Sequence, residues 1–160
     1  MRLVIAAVGR LKDGPERALF ERYFERANGA GRAVRLAPVE LIELTESSAR
    51  RAPDRIADES ARLEAALPKG ARRILLDTRG RSLTSEEFAS RLVALRNGGA
   101  GTAAFLVGGA DGLSLSANAA LDLTISFGAA TFPHQIVRIL LAEQIYRAIT
   151  ILSGHPYHRA

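Results

Sequence analysis

Residues 126–159 read SFGAATFPHQIVRILLAEQIYRAITILSGHPYHR. The stretch leaves the end of an apolar strand at Phe127, crosses a run of small residues and enters a long helix from Pro133 to about Leu152. Thr131 is the expected cap, and Pro133 suits the first turn. Ile136, Val137, Leu140, Leu141, Ile145, Ile149 and Leu152 cover much of the helix circumference, which predicts burial on more than one side. A partner subunit could supply the second side; a plain core helix is the simpler alternative. His134 and Arg138 stand one turn apart, as do Glu143 and Arg147, the latter pair with the acid first, the better order for an ion pair. Beyond the helix, His155-Pro156-Tyr157-His158-Arg159 gathers two of the three histidines with a tyrosine and an arginine one residue before the end.

Working outward, the same alternation of strand and helix runs back to the N-terminus. Leu3–Val8 is an apolar run bounded by Gly9. Pro15 to Ala27 has helical spacing, with Asn28-Gly29 and Gly31 as its stop. Val34–Leu44 reads as a second strand and Thr45 to Ala52 as a mobile polar loop. Pro53 to Leu67 is a second helix. Arg73–Leu76 is a third strand running into a turn at Asp77-Thr78-Arg79-Gly80. Thr84-Ser85-Glu86-Glu87 has the pattern of a capping box and opens a helix to about Arg96. Thr102–Val107 and Leu121–Phe127 complete five strands. This order predicts one α/β domain over residues 1–160 with a mainly parallel sheet. In such sheets ligands sit beyond the carboxyl ends of the strands, here Leu76–Gly80, Gly108–Leu113 and the loop after the fifth strand.

Composition narrows the chemistry. The 160 residues are 48% hydrophobic and 24% charged, enough for a core without staples. There is no cysteine, which excludes disulfides, thiolate metal sites and a cysteine nucleophile. The opening apolar run is too short for a signal peptide or a membrane span, so a cytoplasmic protein without a membrane partner is expected. No metal site is expected either, since His155 and His158 lack a third ligand. The net charge of +5 fits a polyanionic partner such as nucleic acid, although 20 of the 22 basic residues are arginine, which a GC-rich genome alone could produce.

Two loops could face a ligand. Val107-Gly108-Gly109-Ala110-Asp111-Gly112-Leu113 lets a backbone approach closely. Its glycine spacing and its place after the fourth strand differ from a dinucleotide fingerprint, and it lacks the Lys-Ser/Thr of a P-loop. It is either a cofactor wall or a tight turn. Phe127–Phe132 leaves room for a flat ligand such as adenine, or is an ordinary strand-to-helix loop. In the tail, tyrosine can stack on a base and arginine can grip phosphate.

Taken together, LLDTRGRSLTSEEFA (Leu75 to Ala89), FLVGGADGLS (Phe105 to Ser114), the stretch quoted first and the opening VIAAVGRLKDG closely resemble the SPOUT-class large-subunit ribosomal RNA methyltransferases that act at N3 of a pseudouridine. The similarity spans essentially the whole chain, and only Thr45–Ala52 looks idiosyncratic. The resemblance implies a trefoil α/β knot, S-adenosylmethionine as cofactor, a homodimer, and a substrate loop of ribosomal RNA within the assembled ribosome. It maps the cofactor wall to Leu76, Gly108, Phe127, Gly128, Ala129, Ala130, Thr131 and Phe132. The composite site would receive Tyr157, His158 and Arg159 for RNA.

The methyl group of a sulfonium is already activated, so catalysis reduces to presenting N3 in line, removing its imide proton and stabilising the charge that develops on the ring oxygens. His134, Arg138, His158 and Arg159 are the catalytic candidates; a water or a spontaneously ionised base could also serve. A side chain at Gly108 should occupy the cofactor's space. The tail, as a fraying terminus, should add little stability. The alternatives are a transfer-RNA methyltransferase of the same fold, a non-catalytic ribosome-associated RNA-binding protein, and a nucleotide-binding oxidoreductase, which the glycine spacing disfavours.

Overall fold

The computed structural model describes residues 1–114 and 121–158. Five strands form one sheet in the order β2-β1-β4-β3-β5, with every pairing parallel: β1 (Arg2–Val8), β2 (Val39–Leu44), β3 (Arg72–Ser82), β4 (Thr102–Val107) and β5 (Leu123–Ser126). Four helices cover it: α1 (Pro15–Gly31), α2 (Ala52–Ala66), α3 (Ser85–Asn97) and α4 (His134–Ser153). The architecture is the expected α/β fold. None of the described helices is long and apolar enough to cross a membrane.

The strand period of two divides β1 between two cores. Leu3, Ile5 and Ala7 join Phe20, Phe88, Leu92, Phe105, Leu141 and Ile145 on one face, where α1, α3 and α4 pack. Val4, Ala6 and Val8 join Leu63, Leu75, Ala104 and Leu106 on the other, under α2. Burial on both faces explains why β1 and β4 read as continuous apolar runs. Among these helices α4 is the most enclosed, lying against both α1 and α3.

Several boundaries differ from expectation. α1 runs through Asn28-Gly29 to Gly31. The Asn28 amide is a bridge, donating to the Val39 carbonyl at 2.9 Å and accepting from the Val39 N–H at 2.8 Å. β2 starts only at Val39, after the cis Ala37–Pro38 bond, although Val34 and Leu36 are buried in the core. β3 does not end at Leu76. It bulges through Asp77–Gly80 and pairs again, with both Leu76 and Arg81 opposite Ile125. Gly80 lies so close to β5 that a Cβ there would stand 2.5 Å from the Ile125 carbonyl carbon. α4 has Pro133 at its N-cap with no side-chain cap, so Thr131 does not cap it. Its far end closes on Gly154, whose φ of 68° suits a glycine.

The segment expected to be mobile is tied down by α2. Glu59 accepts from Ser47 N–H at 2.8 Å, Arg62 donates to the Thr45 carbonyl at 2.9 Å, and Arg55 donates to the carbonyls of Ala49 and Arg50 at 3.2 and 3.0 Å.

Candidate active site

A cleft of about 700 Å³ opens at the β3 bulge and the carboxyl ends of β4 and β5. Its walls are Leu76–Thr78, Val107–Leu113 and Ile125–Gly128, continued by Ala130–His134 and Val137. Of the expected cofactor residues, Leu76, Gly108, Phe127, Gly128, Ala130, Thr131 and Phe132 line it, and Ala129 does not. The walls combine the glycine-rich backbone of Gly108–Gly112 with apolar side chains such as Leu76, Leu113, Phe127 and Phe132. The two acids on the rim are already neutralised. Arg79 hydrogen-bonds Asp77 and holds its carboxyl below the usual range. Arg55 does the same for Asp111, through Nε at 2.7 Å and Nη2 at 3.3 Å.

The glycine loop is folded tightly on itself. Gly112 N–H donates to the Gly109 carbonyl at 3.1 Å, and Gly112 has a φ of 82°. A Cβ at Gly108 would meet the Gly112 carbonyl carbon at 2.9 Å and Leu113 Cγ at 3.1 Å. The absent side chain at 108 therefore permits the turn, which corrects the expectation that a substituent there would point into the cofactor's space. A Cβ at Gly109 would stand 3.2 Å from Glu59 Oε2. Ser60 Oγ accepts from Ser114 N–H at 3.0 Å. Helix α2 thus braces this loop as well as the loop after β2.

His134 lines the cleft at the start of α4. Its Nε2 is 4.0 Å from Glu46 Oε1 and faces Gly9, where a Cβ would lie 3.2 Å from it. Burial, followed by the nearby Arg138 charge, lowers the His134 pKa against the pull of Glu46 and Glu59. The ring is therefore biased toward its neutral form, which can accept a proton.

Arg138 lies beneath the cleft and is not among its walls. It is fully buried and ion-paired to Glu43 at 2.8 Å. It also donates to the carbonyls of Gly9 at 3.1 Å and Val8 at 3.3 Å. Its geometry is that of a clamp on the exits of β1 and β2.

The tail is docked, contrary to the expectation of fraying. The Tyr157 ring lies 4.7 Å from that of Tyr146, and the Arg147 guanidinium sits 5.0 Å from its centroid. The hydroxyl donates to Glu143 Oε1 at 3.0 Å. Burial, then hydrogen bonds with Tyr23 and Glu143, push the phenol pKa up. The expected Glu143–Arg147 pair is present, with Arg147 Nε at 2.8 Å, and it forms the floor under this ring. His158 Nε2 lies 2.8 Å from Glu86 Oε1, while its buried Nδ1 has no partner among the described residues. Arg159 lies outside the described residues. His134 opens α4, whereas the tail folds back so that Tyr157 meets Glu143, nine residues further along the helix, about 14 Å away along the axis. One chain does not bring His134 together with Tyr157 and His158.

Sequence reasoning missed the supports: Glu46 beside His134, and Arg55, Glu59 and Ser60 on α2. Arg55 and Glu59 sit four residues apart with the look of a solvated helix pair, and nothing in the sequence separates that from a brace. Asp111 could have been noticed, since it is the one charge inside a glycine loop. Among the described residues there is no group of three or more potential metal ligands.

A family profile described as "Predicted SPOUT methyltransferase" matches residues 1–158. A protein of Xanthobacter autotrophicus named ribosomal RNA large subunit methyltransferase H is 59% identical over 160 residues, covering all of both chains. Relatives of the same name are 53% identical in Rhodopseudomonas palustris, again over the full length of both chains, and 52% identical in a Methylobacterium species, over 99% of this chain and 98% of that one.

Proposed function

Because this chain belongs to the SPOUT methyltransferase family, we propose that it methylates large-subunit ribosomal RNA, at N3 of a pseudouridine, on the assembled ribosome. The observation that carries the reading is the cleft itself, at the β3 bulge and the ends of β4 and β5, walled by Gly108–Leu113, Phe127, Gly128 and Ala130–Phe132. Full-length relatives named for that substrate support it. We read residues 1–160 as a single knotted domain working in the cytoplasm, where ribosomes are.

The methyl donor is S-adenosylmethionine, which supplies an electrophilic methyl group when bound. The cleft suits it. Its walls are mostly apolar or glycine, and Asp77 and Asp111 are already paired, so a flat purine can lie there without meeting an unpaired carboxylate. Leu76, Gly108, Phe127, Gly128 and Ala130–Phe132 would hold it. His134, biased toward its neutral form, is the group on this chain able to take the imide proton from N3. Arg138 acts through others, fixing Gly9 and the His134 surroundings.

The tail residues Tyr157, His158 and Arg159 belong to a second copy's site, which requires a homodimer. The separation along α4 favours this, because Tyr157 is held at Glu143, about 14 Å along the helix from its own His134. Ile136 and Leu140 in the first half of α4 are only half-buried and stand one turn apart, an apolar patch suited to such an interface.

Labelled methyl transfer to ribosomes, free ribosomal RNA and transfer RNA tests the substrate. Label entering ribosomes alone is the expected result. Label entering transfer RNA, or no transfer despite cofactor binding by calorimetry, would overturn the assignment.

A further inference from the structure

The two loops beside His134 and the glycine loop carry cations that the fold does not use. Arg10 and Lys12 follow Gly9, which abuts the His134 ring. Arg50 and Arg51 end the loop after β2. Arg55 joins that loop to the cleft with one guanidinium, Nη1 donating to the Arg50 carbonyl at 3.0 Å while Nε donates to Asp111 at 2.7 Å. Asp111 is itself a wall of the cleft. Each cation pair is thus attached to a residue at the mouth, one through Gly9 and one through Arg55.

All four side chains are exposed, and among the described residues none makes a hydrogen bond or ion pair. Most acids nearby are engaged elsewhere: Asp13 faces Arg17 at 3.7 Å, Asp58 faces Arg62 at 3.1 Å, and Asp111 is held by Arg55. Glu46 and Asp54 remain, so the rim stays positive. Exposed arginines without an ion pair also stand elsewhere, at Arg22, Arg32, Arg35, Arg81 and Arg91, so position beside the cleft, not freedom alone, distinguishes these four.

We propose that Arg10, Lys12, Arg50 and Arg51 form the phosphate grip for the RNA strand on either side of the nucleotide in the cleft. The inference rests on the RNA-methylating reading above and adds where the strand lies. A base must leave its stack to enter a pocket of this size. Its own base-pairing edge is then inside, while the phosphates on both sides stay outside at the mouth. Free cations on two sides of that mouth meet those phosphates without breaking an existing ion pair. Such contacts carry no sequence information; they set register and orientation.

The test is the salt dependence of binding to assembled ribosomes, measured with full-length wild type, R10Q/K12Q, R50Q/R51Q and the remote pair R32Q/K69Q. Cofactor affinity by calorimetry serves as a folding check for each protein. For a single strand the slope of log affinity against log salt is roughly −0.7 per phosphate contact, so each rim pair should flatten it by roughly 1.4. The remote pair, with the same change in net charge, should leave it unchanged. R10K and R50K/R51K should restore the wild-type slope. Equal effects from rim and remote pairs would overturn the proposal in favour of diffuse charge attraction, and so would rim variants with the wild-type slope. Wild type that does not bind ribosomes at all would instead refute the substrate assignment.

Discussion

Replacing Arg138 with leucine tests whether this residue is a clamp or a catalyst. In the folded chain its guanidinium is fully buried, pairs with Glu43 at 2.8 Å and donates to the Gly9 and Val8 carbonyls. Leucine fills part of the volume but leaves Glu43 with the Leu11 N–H at 3.0 Å as its remaining donor among the described residues. Breaking one side of a buried ion pair costs about 3–5 kcal/mol. The Glu43 side chain is 19% exposed and can recruit some water, which favours the lower end, about 3 kcal/mol. For a domain of this length each kcal/mol is worth roughly 2–4 °C, so the melting temperature should fall by roughly 6–12 °C. Adding Glu43→Gln removes the stranded charge and should recover part of that loss. Thermal melting of the four proteins in the cycle measures it. A change under about 2 °C for Arg138→Leu, or strict additivity with Glu43→Gln, would refute the clamp.

Two other predictions concern the ends of α4. Deleting Tyr157–Ala160 removes the ring contact with Tyr146, the Arg147 contact and the hydrogen bond to Glu143. Together these are worth roughly 2–4 kcal/mol, so the truncated protein should melt roughly 5–15 °C lower, and a wild-type melt would show the tail to be loose. His134 gives a pH signature. Its folded pKa lies below the ordinary value of 6.5, so the unfolded chain binds more protons between the two. Stability should therefore fall as pH drops below about 6.5 and on through the folded pKa. His134→Gln should flatten that part of the curve, and a slope identical to wild type would rule out His134 as its source.

What the sequence revealed was local or periodic. The capping box at Thr84 and Glu87 is present as expected, with Glu87 N–H donating to Thr84 Oγ1 at 3.2 Å and Thr84 N–H to Glu87 Oε2 at 2.8 Å, because it needs only four consecutive residues. β4 matches its expected bounds, since an apolar run between a glycine turn and a glycine loop has few other solutions. The misses depended on distant partners. Asn28 looks like a helix stop until Val39 is beside it. Asp77–Gly80 looks like a turn until β5 draws the chain back into pairing. The wall of the cleft was legible from its small residues, but the division of labour on α4 was not. His134 and Arg138 share a helix row, and only β1 decides that one faces the cleft while the other is sealed beneath it. Tyr157 likewise resembles a free aromatic tip until Tyr23 and Tyr146 are seen around it.

The reach of Arg138 back across 129 and 130 residues to Gly9 and Val8 constrains the order of assembly during synthesis. β1 is the first strand made, yet its neighbour β4 begins at Thr102 and its clamp arrives with α4. At roughly 5–20 residues per second, the wait from Val8 to Arg138 is on the order of 6–26 s. Throughout that time the run Leu3–Val8 has no complete shelter in the nascent chain. Non-local closure of this kind is slow and leaves apolar strand exposed to wrong partners. The growing polypeptide therefore carries β1 without its full set of neighbours until α4 emerges.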